Sequence, residues 1–444
     1  MRLTPSPLWH AAALALGLTL ATAAPMAAAQ NLQALYEAAK AYDAQYLSAI
    51  TQTRTAELRL AQSEGLLKPS ASVTAGATAN NTDLPRLGRG DTNSLNAALQ
   101  GRMPLFNRSN SLSVEQARKG LEVASADLQT AEQDLIVRVA QAYFDVLGAQ
   151  DDLTAIEASK KAVSEQLAQA RREFEVGTKT IVDTHEAQAR FDQIVAQEQV
   201  VRGTLIVRQN TLRSIIGRDP GALVPLTDKP QLKAPQPLDV DSWARQAEEG
   251  SFPVQVARLN GEIAKIGTKL ARNGHMPTVD LVASLNQNRS DGSASAGISN
   301  TTRTGVLGVQ LNVPVYSGGL TQSRIREALA IEDRTQQDLE AARRNASQSA
   351  KQAYTGVDFG LAQVRALESA EVSARSQLES TRLGYQVGVR INLDVLNATT
   401  QLFATQRDLK KSRYEFLING LRLESATGGL DEQDVQAVNT LLVR

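Results

Sequence analysis

The chain has 444 residues, 47 Lys and Arg against 47 Asp and Glu, three His and no Cys. Its length and 42% hydrophobic content allow a large core, but aromatics are only 4%, which favours thin elements packed side by side over bulky globular interiors. The charge balance removes the electrostatic case for nucleic acid or an anionic lipid surface as the main partner, and the missing Cys excludes disulfides, thiolate metal sites and a Cys nucleophile.

Residues 1–29 read as a secretory signal peptide: Arg2, an apolar run, then Ala27, Ala28 and Ala29 before Gln30. His10 falls inside that leader. No later stretch approaches the ~18 consecutive apolar residues of a transmembrane helix. The mature chain then opens on a helix that Pro69 closes.

Residues 70–80 alternate as a strand, with Ala71, Val73, Ala75 and Ala77 on one face and Ser72, Thr74, Gly76 and Thr78 on the other. A second strand over 94–104 sets Leu95, Ala97, Leu99 and Met103 against Asn96, Gln100 and Arg102. The polar segment 81–92 between them reads as a loop longer than a tight hairpin needs. Pro104 and Phe106 mark the change from strand to helix, with the aromatic suited to a membrane interface. From 111 to 176 there is no proline, and Leu121, Ala124, Leu128, Ala131, Leu135, Val139 and Ala142 recur at helical spacing. At ~1.5 Å per residue the rod is on the order of 100 Å long, and it needs similar neighbours to pack against. A Val-Gly turn at Gly177 leads into a shorter helix over 183–217.

A proline-rich linker over 219–239 separates this first unit, 30–218, from a second, 240–428. The second repeats the first: Pro277 answers Pro69, "VPVY" at 313–316 answers "MPLF" at 103–106, and "QAY" at 352–354 answers 141–143. "YQVGVRINLD" at 385–394 likewise answers "FEVGTKTIVD" at 174–183. Landmarks in one order at nearly constant offset are the mark of an internal duplication. The second unit is expected to have strands at 278–288 and 304–314, a polar loop over 291–300, a long helix at 320–386, a turn at Gly388 and a helix at 394–427. Residues 429–444 are expected to form a C-terminal equatorial segment, as the linker does.

Four strands of about ten residues, each with one apolar and one polar face, fit a transmembrane β-barrel, although a half-buried sheet in a soluble protein alternates in the same way. Four strands are too few to close a membrane barrel, for which about eight is the minimum, and an open edge in lipid leaves backbone groups unpaired. The barrel is therefore shared between copies. Three chains giving twelve strands is the natural closure around a wide lumen; two or four also satisfy the arithmetic.

With these features in view the chain resembles the TolC family of outer-membrane efflux and secretion ducts, most specifically over Val387–Leu396. The resemblance implies an α+β membrane protein: a homotrimeric 12-stranded β-barrel, four strands per chain, continuous with a long α-helical barrel and built from two tandem helix-strand-strand-helix-helix repeats. It implies location in the Gram-negative outer membrane, among outer-membrane lipid, with reach into the periplasm. It also implies docking on a periplasmic adaptor and an inner-membrane pump or ABC exporter. By position, Asp183, Tyr385 and Arg390 match the family's periplasmic gate, and Asp394, repeated by symmetry, would form an acidic constriction ring. Asn397 stands where many members carry a second Asp, which weakens the expected hold on divalent cations.

Asp183 and Asp394 also suit helix starts, with Glu186 three residues after Asp183 resembling a capping box. His185 and His275 read as solvated surface residues. No phosphate loop, Ser-His-Asp set or metal motif appears, so neither enzymatic activity nor a cofactor is expected. The alternatives are a periplasmic adaptor or a structural coiled coil of the envelope.

Overall fold

The computed structural model describes residues 30–84, 88–178, 180–292 and 300–443; the leader expected at 1–29 lies outside the described residues. The first helix is two helices, α1 (Leu32–Tyr42) and α2 (Ala44–Gly65). Asp43 divides them by taking an extended backbone and accepting the Tyr46 N–H at 2.9 Å, a side-chain cap that competes with helix continuation.

Strands β1 (Ser70–Leu84), β2 (Gly88–Phe106), β3 (Thr278–Asp291) and β4 (Asn300–Asn312) form one antiparallel sheet in the order β1-β2-β3-β4. All four run past the expected bounds at the end away from the helices. The segment read as a long polar loop at 81–92 is largely paired, Asn81 opposite Asp91 and Asn80 opposite Thr92, because a backbone ladder persists after the side-chain alternation has ended. At the helical end Pro104 lies inside β2, where the register shifts between Pro104 and Phe106, while β4 stops at Asn312, before Pro314. A residue without an N–H cannot donate to a ladder, so both prolines mark places where pairing is irregular or over.

The register places every apolar set on one face. Val73, Leu99 and Leu285 lie in one row, Ala71, Gly101, Ala283 and Leu307 in the next, and Met103, Leu281 and Val309 in a third. Val73, Leu307, Val309 and Leu311 are among the most exposed large apolar residues of the protomer, at 75%, 77%, 64% and 63%. The opposite face carries Ser72, Gln100, Ser284, Asn286 and the pair Arg102–Asp280, joined at 2.6 Å.

Two long helices, α3 (Arg108–Glu175) and α7 (Leu320–Gln386), run 68 and 67 residues. Shorter helices α4 (Ile181–Ile216) and α8 (Asn392–Thr427) fold back along them, while α6 (Phe252–Arg272) packs between α3 and α7 as α2 packs on α3. Among the described residues no helix is long and apolar enough to cross a membrane.

The main core is a belt partway along the rods. Leu135–Leu147 of α3 and Tyr414–Leu423 of α8 meet Leu32, Leu35 and Tyr36 of α1, Leu223 of the linker, Trp243 of α5 (Val240–Gly250), and Val435 and Val438 of α9 (Glu432–Asn439). The scarce aromatics concentrate here, with Phe144 stacked on Tyr414 at 5.3 Å.

Candidate functional site at the paired helix turns

At the end remote from the sheet, α3 and α7 stop in the same way. The Thr178 N–H returns to the Glu173 carbonyl at 2.9 Å, and the Val389 N–H to the Gly384 carbonyl at 2.9 Å. Gly177 and Gly388 take the left-handed conformation at φ 74° and 81°, the Schellman stop that glycine alone adopts without strain. Five residues separate each long helix from its return partner, 176–180 on one hairpin and 387–391 on the other, so each pair is held as a stiff antiparallel unit.

Each return helix starts on an acid in its first turn. Asp183 is the N3 residue of α4: the N-cap is Thr180, which donates both its N–H (3.1 Å) and its hydroxyl (2.8 Å) to Asp183 Oδ2. The capping box is thus Thr180–Asp183, three residues earlier than the expected Asp183–Glu186, because a Thr hydroxyl can accept the N3 N–H while the N3 carboxylate reaches back. Asp394 stands likewise at N3 of α8 and accepts the Ile391 N–H at 3.3 Å.

Among the described residues, polar bonds from Tyr385, Gln166 and Arg190 join the first hairpin to the second at this end. The Tyr385 hydroxyl donates to Glu173 Oε2 at 2.6 Å, the Gln166 amide donates to Asn392 Oδ1, and Arg190 donates to the Thr400 hydroxyl at 2.9 Å. Burial first, and then the Glu173 carboxylate, push the Tyr385 phenol well above its usual range, so it remains a proton donor. Asp183 acts on the same phenol by its charge. Arg390, in the turn between α7 and α8, reaches Asp394 Oδ2 of the first turn of α8 at 3.8 Å and lies over Gly384, where a Cβ would meet its Cγ at 2.8 Å.

Of the residues singled out in the sequence, Tyr385 crosses between hairpins, Asp183 caps α4, and Arg390 pairs with Asp394 within the second hairpin. Asn397 is exposed one turn beyond Asp394. His185 and His275 are exposed. Glu173, Gln166, Asn392 and Arg190 were not singled out. Glu173 carried a signal: it occupies the position that Gly384 holds in the second repeat, next to the aromatic of the shared turn.

Apolar packing between the hairpins is thin here. Leu396 of α8 enters a cluster with Val163 of α3 and Ile194 of α4, and Ala374, Leu378, Val395, Ala398 and Leu402 hold α7 to α8. A few polar bonds over small apolar contacts can be exchanged by helix shear without exposing a large core.

The family model described as "Outer membrane efflux protein" matches the chain over residues 35–218 and again over 243–429. The chain is 34% identical to the outer membrane protein TolC of Vibrio cholerae, over 93% of each chain. It is 30% identical to the alkaline protease secretion protein AprF of Pseudomonas aeruginosa, over 78% of this chain and 72% of that one. Among solved structures, the Campylobacter jejuni CmeC outer membrane channel superposes with a TM-score of 0.79 at 14% identity, over 93% of this chain and 90% of that one. With its family model matched twice across most of its length, the chain belongs to the outer membrane efflux protein family.

Proposed function

We propose that the chain is the outer-membrane exit duct of a tripartite efflux pump or a type I secretion system, passing substrates from the periplasm to the exterior without chemistry of its own. One observation carries this reading: four strands present a single apolar face in register, with β1 and β4 left as open edges, at one end of rods on the order of 100 Å long. Lipid accepts such a sheet only when copies pair edge to edge, and three copies give twelve strands. Channels of this family are trimeric and work with efflux-pump or secretion components. For this chain those components are a periplasmic adaptor and an inner-membrane pump or ABC exporter, which supply the energy.

The paired turns form the periplasmic entrance. Tyr385, Arg390 and Asp183 belong to the network that holds it shut, and Asp394 with Asn397 lines the narrowest ring. The domain division of two repeats, 30–218 and 240–428, with 219–239 and 429–444 in the mid-length belt, follows from the same duplication. Purified chain added to planar bilayers tests the reading: stepwise ion conductance and detergent-dependent extraction from membranes are expected. A stable water-soluble monomer without conductance would overturn it.

A further inference from the structure

The apolar face of the sheet does not end evenly. On β1 and β2 its last rows remain apolar, Ala75 opposite Ala97 and Ala77 opposite Leu95. On β3 and β4 the same rows hold Gln287 opposite Arg303 and Arg289 opposite Thr301, directly beyond the row of Leu285 and Gly305. Side chains two residues apart share a face, so both arginines stand on the lipid side.

Their level can be estimated. Arg289 lies ten residues along β3 from Val279, which begins the apolar rows. At ~3.4 Å per residue and a tilt of ~40° that is a rise of roughly 26 Å, against an apolar band of ~25 Å in outer-membrane barrels. The arginines therefore sit where hydrocarbon gives way to headgroups, at the end away from the helices.

Both side chains are exposed and anchored by their Nε atoms, Arg303 to Gln287 Oε1 at 3.1 Å and Arg289 to Asp291 Oδ2 at 3.2 Å. Neither uses a terminal guanidinium nitrogen in a hydrogen bond to a described residue, and Arg303 has no carboxylate partner among the described residues. Diagonal neighbours on adjacent strands lie ~7–8 Å apart, a span that one phosphate can bridge with two guanidinium forks. The Thr301 hydroxyl shares the face as a further donor.

We propose that Arg289, Arg303 and Thr301 form a phosphate-binding site on the lipid face for the headgroup of a phosphorylated outer-leaflet glycolipid, whose acyl chains lie over Leu285, Leu307 and Val309. The occupant is a lipid because the donors stand at the margin of an apolar surface, which suits an amphiphile with an anionic head and hydrocarbon tails better than a free anion. The site belongs to the second hairpin of each chain, giving three sites around a trimer. It rests on the reading of this sheet as a lipid-facing barrel wall.

The test uses the full assembled protein and its Arg289→Gln/Arg303→Gln variant in phosphatidylcholine nanodiscs, titrated with bis-phosphorylated lipid A, dephosphorylated lipid A or phosphatidylglycerol. Removing two charge-assisted contacts is expected to weaken bis-phosphorylated lipid A binding by about tenfold or more. Dephosphorylated lipid A should bind the wild type as weakly as the variant, and phosphatidylglycerol should bind less tightly than the phosphorylated glycolipid. Equal affinity of wild type and variant, or equal affinity for phosphatidylglycerol, would overturn the proposal. Both proteins should conduct equally in planar bilayers; absence of insertion by the wild type would instead sink the barrel reading and this site with it.

Discussion

The Tyr385 hydroxyl donates to Glu173 Oε2 at 2.6 Å, tying the last turn of the second long helix to the last turn of the first. The two positions are near-equivalents in the duplicated sequence, since Glu173 precedes Phe174, the counterpart of Tyr385. The bond is therefore a contact between the two halves of the duplicated sequence, and on the proposed reading it lies where the halves part as the entrance widens.

Tyr385→Phe and Glu173→Gln should each loosen the closed tip by about 1–2 kcal/mol, the range for a hydrogen bond to a charged group that is partly exposed. Single-channel conductance in planar bilayers should rise in both. The double variant should exceed neither single by much, because both remove one bond. Arg390→Ser should raise conductance independently, and an unchanged conductance with Tyr385 and Arg390 both replaced would remove the gate assignment.

Gly177→Ala and Gly388→Ala test the helix stops. No atom lies within 4 Å of a Cβ built at either position, so any cost is that of a left-handed backbone, about 1–2 kcal/mol. Hydrogen exchange should quicken at the Thr178 and Val389 amides, which close the two turns. Melting of the mid-length belt should be unaffected.

Acid should weaken the junction of α1 and α2 with α3. Asp43 is 7% exposed and accepts two bonds from Arg138, at 2.8 and 3.0 Å. The Arg138 guanidinium holds the Asp43 carboxyl below its usual range, despite burial acting the other way. A carboxyl with a lowered folded value contributes fully above its unfolded pKa of about 3.9 and loses that contribution as pH falls through the lower folded value. Asp43→Asn should cost about 2–3 kcal/mol near neutral pH, with the gap to wild type shrinking below about pH 4 in thermal melts.

The two faces of the sheet should respond oppositely to one added charge. Val309→Arg places a guanidinium in the apolar row of Leu281, about 5 Å inside the margin of the band, where about 1–2 kcal/mol is lost, between the interfacial and midplane costs. Gln310→Arg, one residue on, faces the polar side and should be tolerated. Heat-stable oligomer recovered from outer-membrane fractions should fall for the first substitution and hold for the second.

The duplication, the helix periods, the four alternating strands and the Val-Gly turns were legible in the sequence because each is a local property: a repeat offset, a spacing of 3.6 or 2, a residue that tolerates positive φ. Asp43 as a break between helices and Thr180 as the true cap escaped it, because a short polar side chain chooses among several nearby amides and only the folded backbone decides which. The strands overran their expected ends since a ladder depends on main-chain pairing, which polarity does not report. Tertiary structure alone brought Glu173 to Tyr385, Gln166 to Asn392 and Arg289 alongside Arg303, because partners distant in sequence or on different strands are chosen by register and helix packing, and no spacing along a single element encodes either.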